Sequence, residues 1–294
     1  MKTPIAPHMS AFLHERLPEH RRASPNTSDS YAHAFRLLFR FASTKLHRAP
    51  SQLALEDLSA SLILEFLADL EKSRNNLTAS RNARLAAIKS FMRFIEHRVP
   101  SALAQILQVL AIPIKRTEVR LVNYLTTEEM QALIDSPDIK TRAGIRDRAM
   151  LHVTCALGLR VSELVGLRLA DFSTAPRPVL LVRGKGRKER LMPLWRETAA
   201  AIRDWLSVRG ESASPELFVN AMGQSMTRAG FKYILIKYVT RVGRNVPSLA
   251  AKRVSPHVLR HTCAMHTLHA TRDVRKVALW LGHASTLGLV PLHR

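Results

Sequence analysis

Apolar residues recur at helical spacing through most of the chain. Tyr31, Phe35, Leu38 and Phe41 follow one another at steps of four and three, and Leu62, Ile63, Phe66, Leu67 and Leu70 do the same. Leu85, Ile88, Phe91 and Ile95 repeat the pattern. Each set lies along one side of a helix with 3.6 residues per turn, so three amphipathic helices are predicted. A shorter fourth helix fits residues 102–110, which makes the first part of the chain a small four-helix unit. The pattern breaks at residues 111–125. Pro113 interrupts the helix, and Lys115, Arg116, Arg120 and Asn123 divide the apolar positions, so this stretch reads as a connector.

A second unit opens at Thr126, whose hydroxyl, with Glu129 three residues on, makes a capping box at a helix start. A helix over 143–157 follows and stops at Gly158, a residue suited to a left-handed cap. The period then changes. Residues 178–183 form a β-type run, Gly184, Lys185 and Gly186 a turn, and residues 190–194 a second short strand. Helices return over 197–208, 227–242, 256–269 and 274–281. No internal repeat or low-complexity tract is visible.

Charge narrows the choice of partner. The 294 residues hold 45 Lys and Arg against 23 Asp and Glu, a formal net charge of +22, with the basic residues spread along the whole length. Such an excess favours a polyanion, because neutralised phosphates release their condensed counterions. Nucleic acid is the leading partner, and a merely solubilising surface is the plain alternative. On the third predicted helix Arg81, Arg84, Lys89 and Arg93 form a basic face, a candidate DNA-contacting surface. An apolar fraction of 46% is ample for packed cores. Cys155 and Cys263 lie far apart in apolar helical patterns and read as reduced, buried thiols. The N-terminus lacks the apolar stretch of a secretory signal, and charges interrupt every apolar run. A soluble cytoplasmic protein without membrane contact is expected.

Phosphate chemistry makes sense of several residues together. A phosphodiester resists attack because its oxygens are negative and its leaving group is an alkoxide. A metal-free catalyst therefore needs fixed cations on the nonbridging oxygens and an acid for the leaving oxygen. Arg160 follows the helix stop at Gly158, Lys185 sits on a hairpin tip, His257 and Arg260 lie three apart on one helix, and His283 follows Gly282. Guanidiniums can fork onto phosphate oxygens. A lysine on a turn can reach a leaving oxygen, and a histidine can donate or accept near neutral pH. The glycines around Lys185 lack the spacing of a nucleotide P-loop, which excludes that mode of ATP binding. His257, His261, His266 and His269 crowd one stretch, but without a His-Glu-x-x-His pattern or a cysteine pair they read as no metal site. His261 reads as a packing residue or phosphate neighbour, and Trp280 as core.

Four segments, in this order and at this spacing, carry a resemblance: Gly158, Leu159, Arg160, Val161, Ser162, Glu163 and Leu164; Gly184 and Lys185 through Arg190; His257, Arg260 and His261; and Leu281, Gly282 and His283. Together they resemble the tyrosine recombinases, the phage-integrase and Xer-like DNA strand-exchange family. The resemblance implies a mainly α protein with a small β-hairpin or sheet: a helical, SAM-like core-binding domain over 1–110, a linker over 111–125, and an α+β catalytic domain over 126–294. It further implies that Arg160 and Arg260 clamp the scissile phosphate, that Lys185 protonates the 5′ oxygen, and that His257 acts as acid or base. His283 would hold a nonbridging oxygen and Glu163 would orient the site. Arg187 and Lys188 join the basic face as implied DNA contacts. No cofactor is implied. Double-stranded DNA is the implied partner, held in a clamp formed by both domains, with further copies or an intact recombinase assembled on it.

The resemblance weakens after Ser285 or Thr286. The family's nucleophilic tyrosine would fall near Leu292, and no tyrosine follows Tyr238. None of Tyr31, Tyr124, Tyr233 and Tyr238 lies in a matching segment. The expectation is a shortened recombinase, by frameshift or early stop, that grips DNA but does not cut it alone and assembles weakly. An inactive accessory protein and cleavage by a partner's tyrosine are the alternatives.

Overall fold

A computed structural model of the chain describes residues 2–20, 23–117, 123–184 and 189–282. It is mostly helical, with one small antiparallel sheet, and divides into two compact units, Met1–Glu118 and Val119–Arg294. Among the described residues no helix is long and apolar enough to cross a membrane.

The first unit holds α1 (Ile5–Ala11), which runs on as a wider helical segment over Phe12–His20, then α2 (Pro25–Leu46), α3 (Ala60–Lys72), α4 (Thr78–Ile95) and α5 (Leu103–Ala111). The last four are the helices predicted from periodicity. Ser24 and Ser59 cap α2 and α3 by accepting from the amides of Thr27 and Leu62, which fixes where those helices begin. The leading helical segment was not predicted, yet it supplies the centre of this core. Phe12 is fully buried and meets Phe91 at 5.4 Å and Phe35 at 6.0 Å, both edge to face. The connector does not hang free at its start. Asn82 Nδ2 donates to the Lys115 carbonyl at 2.8 Å, and Lys115 Nζ pairs with Glu71 at 2.6 Å.

That contact corrects the reading of Arg81. Its side chain is buried, and Nη1 donates to the Pro113 carbonyl at 3.0 Å and to Asn82 Oδ1 at 3.1 Å. Arg81 precedes Leu85 by four residues and Ile88 by seven, so it shares their buried stripe and cannot belong to an outward basic face. Arg84 and Lys89 are half-buried and Arg93 is exposed. Burial first, then Arg93 and Arg81, push the Lys89 ammonium below its ordinary pKa, as expected for a cation among cations.

The second unit comprises α6 (Thr127–Asp135), α7 (Arg142–Leu157), α8 (Val161–Val165), β1 (Phe172–Ser173), β2 (Val179–Arg183), β3 (Glu189–Pro193), α9 (Arg196–Arg209), α10 (Arg228–Gly243), α11 (Pro247–Ala250), α12 (Pro256–Thr271) and α13 (Val274–Leu281). The capping box at Thr126 is formed: the Glu129 amide reaches its hydroxyl at 3.2 Å, and Glu129 Oε2 takes the Thr126 amide at 2.9 Å. The strands run β1-β2-β3, with Leu180 opposite Met192 and Val182 opposite Arg190. The two-residue strand β1 and the short helices α8 and α11 carry too few apolar positions to show periodicity, and they went unpredicted.

Helix α7 is the axis of this unit. It buries Met150, Leu151, Val153, Thr154 and Leu157, and both α9 and α12 pack against it. Gly158 ends it with φ 57°, its amide returning to the Thr154 carbonyl at 3.0 Å. A Cβ at that position would lie 2.6 Å from Leu281 Cδ2 and 3.1 Å from Cys263 Sγ, so the glycine is needed for space as well as for φ. The second end of the connector is stapled to α12: the Leu125 amide donates to Thr262 Oγ1 at 3.0 Å, and its carbonyl meets His266 Nε2 at 2.9 Å. Gly158→Ala is expected to destabilise the protein by about 1–3 kcal/mol, the usual scale for strain at a left-handed position with close neighbours. Thermal unfolding checks this, and a midpoint equal to wild type would contradict it.

Candidate active site around Arg160 and Arg260

The chain passes from α7 to α8 through Gly158, Leu159 and Arg160. Arg160 is the N-cap of α8 in extended conformation (φ −66°, ψ 147°), and Glu163 falls three residues on, where a carboxylate can cap the first amides. Glu163 Oε2 accepts the Arg160 amide at 3.0 Å, and Oε1 accepts Arg160 Nη1 at 2.8 Å. The carboxylate is 3% exposed, whereas the Arg160 side chain is 40% exposed, so the guanidinium is tethered from below and open above.

Arg260 comes from α12. Ser255 caps that helix by accepting the Val258 amide at 3.3 Å, with Pro256 in its first turn. This start puts His257 on the exposed first turn and Arg260 a turn deeper, where it is buried. Arg260 Nη1 donates to the Gly158 carbonyl at 2.5 Å and Nη2 to the Leu281 carbonyl at 2.7 Å. Burial first, then repulsion from Arg160, push its guanidinium down to about 10, partly offset by Glu163. It therefore remains charged at neutral pH, in a place where an added anion would be welcome.

A third guanidinium enters from β3. Arg190 Nη2 donates to Glu163 Oε2 at 2.9 Å, and Nη1 lies 3.5 Å from Oε1. Burial opposes ionisation of Glu163 and is the largest single influence. The Arg190 hydrogen bond, the Arg160 amide and the charge of Arg190 together outweigh it and hold the carboxyl below its ordinary value. Three arginines against one carboxylate leave the described cluster with a charge of 3 − 1 = +2.

Arg160, Glu163 and Arg260, singled out in sequence, are thus brought together, with His257 exposed at the start of the helix that carries Arg260. Lys185, Arg187, Lys188, His283 and Leu292 lie outside the described residues. The stem of the hairpin that bears Lys185 is described: Arg183 pairs with Asp171 and, at 3.1 Å, with Glu189. Arg190 lies in a motif that carries the resemblance, which implies no role for it. Alternation along β3 carries the missing signal, because Arg190 shares the inward side with buried Met192.

Other candidate nucleophiles are disarmed. Burial pushes the Cys155 thiol up to about 12 and Cys263 up to about 11, so neither forms a thiolate near neutral pH. Burial, then Asp147, raises Tyr238, whose hydroxyl donates to that carboxylate at 2.9 Å. Tyr124 packs edge-on against His266 and His269. Trp280 is half-buried and donates from Nε1 to the Ala156 carbonyl at 3.2 Å, a packing role. Among the described residues no three His, Cys, Asp or Glu side chains gather as a metal-binding group.

Comparison with known proteins places this arrangement. The profile described as the phage integrase family matches residues 123–287, and the phage integrase N-terminal SAM-like domain matches residues 11–98. A putative integrase/recombinase, y4rC of Sinorhizobium fredii, is 43% identical over 281 residues, covering 96% of this chain and 85% of the relative. Tyrosine recombinase XerC of Pelobacter propionicus is 34% identical over 284 residues, covering 96% and 88%. Among solved structures, XerH site-specific recombinase bound to its difH substrate superposes with a TM-score of 0.69 at 21% identity, covering 97% of this chain and 80% of that one.

Glu163 titrates below its ordinary value in the folded chain, so the unfolded chain takes up the proton first as pH falls. Its contribution is full above about pH 4.3, the ordinary glutamate value, and is lost as pH falls through the depressed one. Glu163→Gln should cost about 3 kcal/mol or more at neutral pH, because it removes the anion from a buried set of cations. The gap to wild type should close below that pH. Urea unfolding between pH 3 and 7 measures both, and a gap independent of pH would contradict the assignment.

Proposed function

The chain belongs to the phage integrase family of tyrosine recombinases, and from that membership we propose that residues 1–294 bind duplex DNA and hold one phosphodiester between Arg160 and Arg260. The observation that carries the reading is the juxtaposition of those two guanidiniums over Glu163 in a cluster of charge +2. Arg160 is open above its tether, and Arg260 is aimed by two backbone carbonyls. A tetrahedral anion with two nonbridging oxygens is what such a pair accepts. In this reading Lys185 serves the leaving oxygen, His257 and His283 exchange hydrogen bonds with the phosphate or its attacker, and Arg84, Lys89, Arg93, Arg187 and Lys188 contact the duplex backbone. The helical first domain and the catalytic second domain grip DNA together, in the cytoplasm, alone or beside further recombinase copies.

Strand cleavage in this family passes through a phosphotyrosine, which stores the energy of the broken phosphodiester. Within residues 1–294 the four tyrosines are Tyr31 in the first unit, Tyr124 and Tyr238 in packing or buried positions, and Tyr233 exposed on α10. None is in a segment that matches the family's nucleophile. We therefore propose that these residues alone grip without cutting. The second reading is an accessory DNA-binding protein that competes with, or assists, a recombinase supplying its own phenol. It gains support from the cluster itself, because Arg160, Glu163, Arg190 and Arg260 need no tyrosine to stand together.

Mobility shift of a duplex across a salt series tests the grip. Arg160→Ala and Arg260→Ala should each weaken binding by about tenfold to a hundredfold, the loss of a charged hydrogen bond, and should lower the salt slope by about one. Unchanged affinity in both variants would refute the clamp. A nicked suicide duplex tests cutting: the 294-residue protein should form no covalent adduct, and an adduct mapped to any of the four tyrosines would overturn that half of the proposal.

A further inference from the structure

Arg190 is the second residue of β3, between two exposed neighbours, Glu189 and Leu191, and its own side chain turns inward to 15% exposure. There it fills the half of Glu163 that Arg160 leaves open. A carboxylate offers about four lone-pair sites, and Glu163 meets a donor at each: the Arg160 amide and Nη1, and Arg190 Nη2 and Nη1. On its other side the same guanidinium passes under the turn that closes α13. A Cβ on Gly282 would lie 2.8 Å from Arg190 Nη1 and 3.2 Å from Cζ. One side chain therefore touches α8 and the end of α13 while anchored in the stem of the hairpin. Its buried Nε has no hydrogen-bond partner among the described residues, a cost that the local geometry accepts.

We propose that Arg190 is a positioning residue for the phosphate grip: it saturates Glu163, which leaves the outward donors of Arg160 for phosphate. The inference rests on the reading of Arg160 and Arg260 as a phosphate clamp. Without Arg190, two acceptor sites on Glu163 would be vacant and would draw the Arg160 guanidinium inward, in competition with an incoming phosphate. Lysine cannot replace it, since a single ammonium cannot fork onto both carboxylate oxygens.

The test uses the 294-residue protein labelled with 15N-arginine, titrated with inorganic phosphate and followed through the arginine Nε–Hε signals, beside mobility shift of a duplex. Wild type should show a saturable shift. Arg190→Met should weaken phosphate binding by about tenfold, the scale of one charge-assisted hydrogen bond, and Arg190→Lys by nearly as much despite its charge. Arg190→Lys also decides the matter if the methionine variant fails to fold. A residue acting through Glu163 should add nothing to Glu163→Gln, so the double variant Glu163→Gln/Arg190→Lys should bind phosphate as weakly as Glu163→Gln alone. Wild-type phosphate affinity in Arg190→Lys, or losses that add fully in the double variant, would overturn the inference while leaving the clamp standing. Absence of both phosphate response and DNA binding in wild type would remove the clamp reading itself, and the inference with it.

Discussion

Glu163 lies 3% exposed among the guanidiniums of Arg160 and Arg190, with Arg260 close enough to feel all three charges, and that crowd of cations is tolerable only because the carboxylate is ionised and fully bonded. Buried ion pairs give little net stability, since desolvation offsets most of the attraction. Their value here is geometric. With its four donors in place Glu163 cannot rotate, so the guanidinium of Arg160 has a set direction before any ligand arrives. The remaining imbalance of +2 is what a preorganised anion site looks like when its fixed dipoles and charges precede the anion.

Gathering these residues from distant parts of the sequence depends on how helices end. Helices α7 and α13 both stop at a glycine in left-handed conformation, Gly158 at φ 57° and Gly282 at φ 66°. Such stops expose carbonyls without intrahelical partners. Arg260 uses the carbonyls at both ends, Gly158 and Leu281, so the helix stops that shape the chain also aim the guanidinium. The two glycines leave space as well: one lets Leu281 and Cys263 approach α7, the other lets Arg190 pass beneath α13.

Much of this was legible in sequence, and the failures share a cause. Long amphipathic helices, the capping box at Thr126, the helix stop at Gly158 and the two strands of the hairpin all follow from local period and turn chemistry. Arg160, Glu163 and Arg260 stand in the segments that carry the resemblance to the tyrosine recombinases, and that resemblance implies their roles. The two arginines misjudged or passed over, Arg81 and Arg190, are charged residues on inward-facing positions: Arg81 in register with Leu85 and Ile88, Arg190 with Met192. A reading that sends every charge to the surface misses them, whereas the periodicity of the neighbours places them correctly. What periodicity could not supply is the partner that makes burial tolerable, Pro113 for one and Glu163 for the other, because both contacts join segments remote in sequence.

On the proposed reading, the phosphate grip and the cutting step are separable in this architecture. The contacts of Arg160 and Arg190 with Glu163 are complete within residues 160–190, and the carbonyls that orient Arg260, those of Gly158 and Leu281, lie no further along than Leu281. A nucleophile contributed from anywhere else, in the same chain or another, would meet a site already built. On the proposed reading, the same residues would serve an enzyme when a tyrosine is supplied and a DNA-gripping module when it is not. The difference between the two lies in one side chain rather than in the fold.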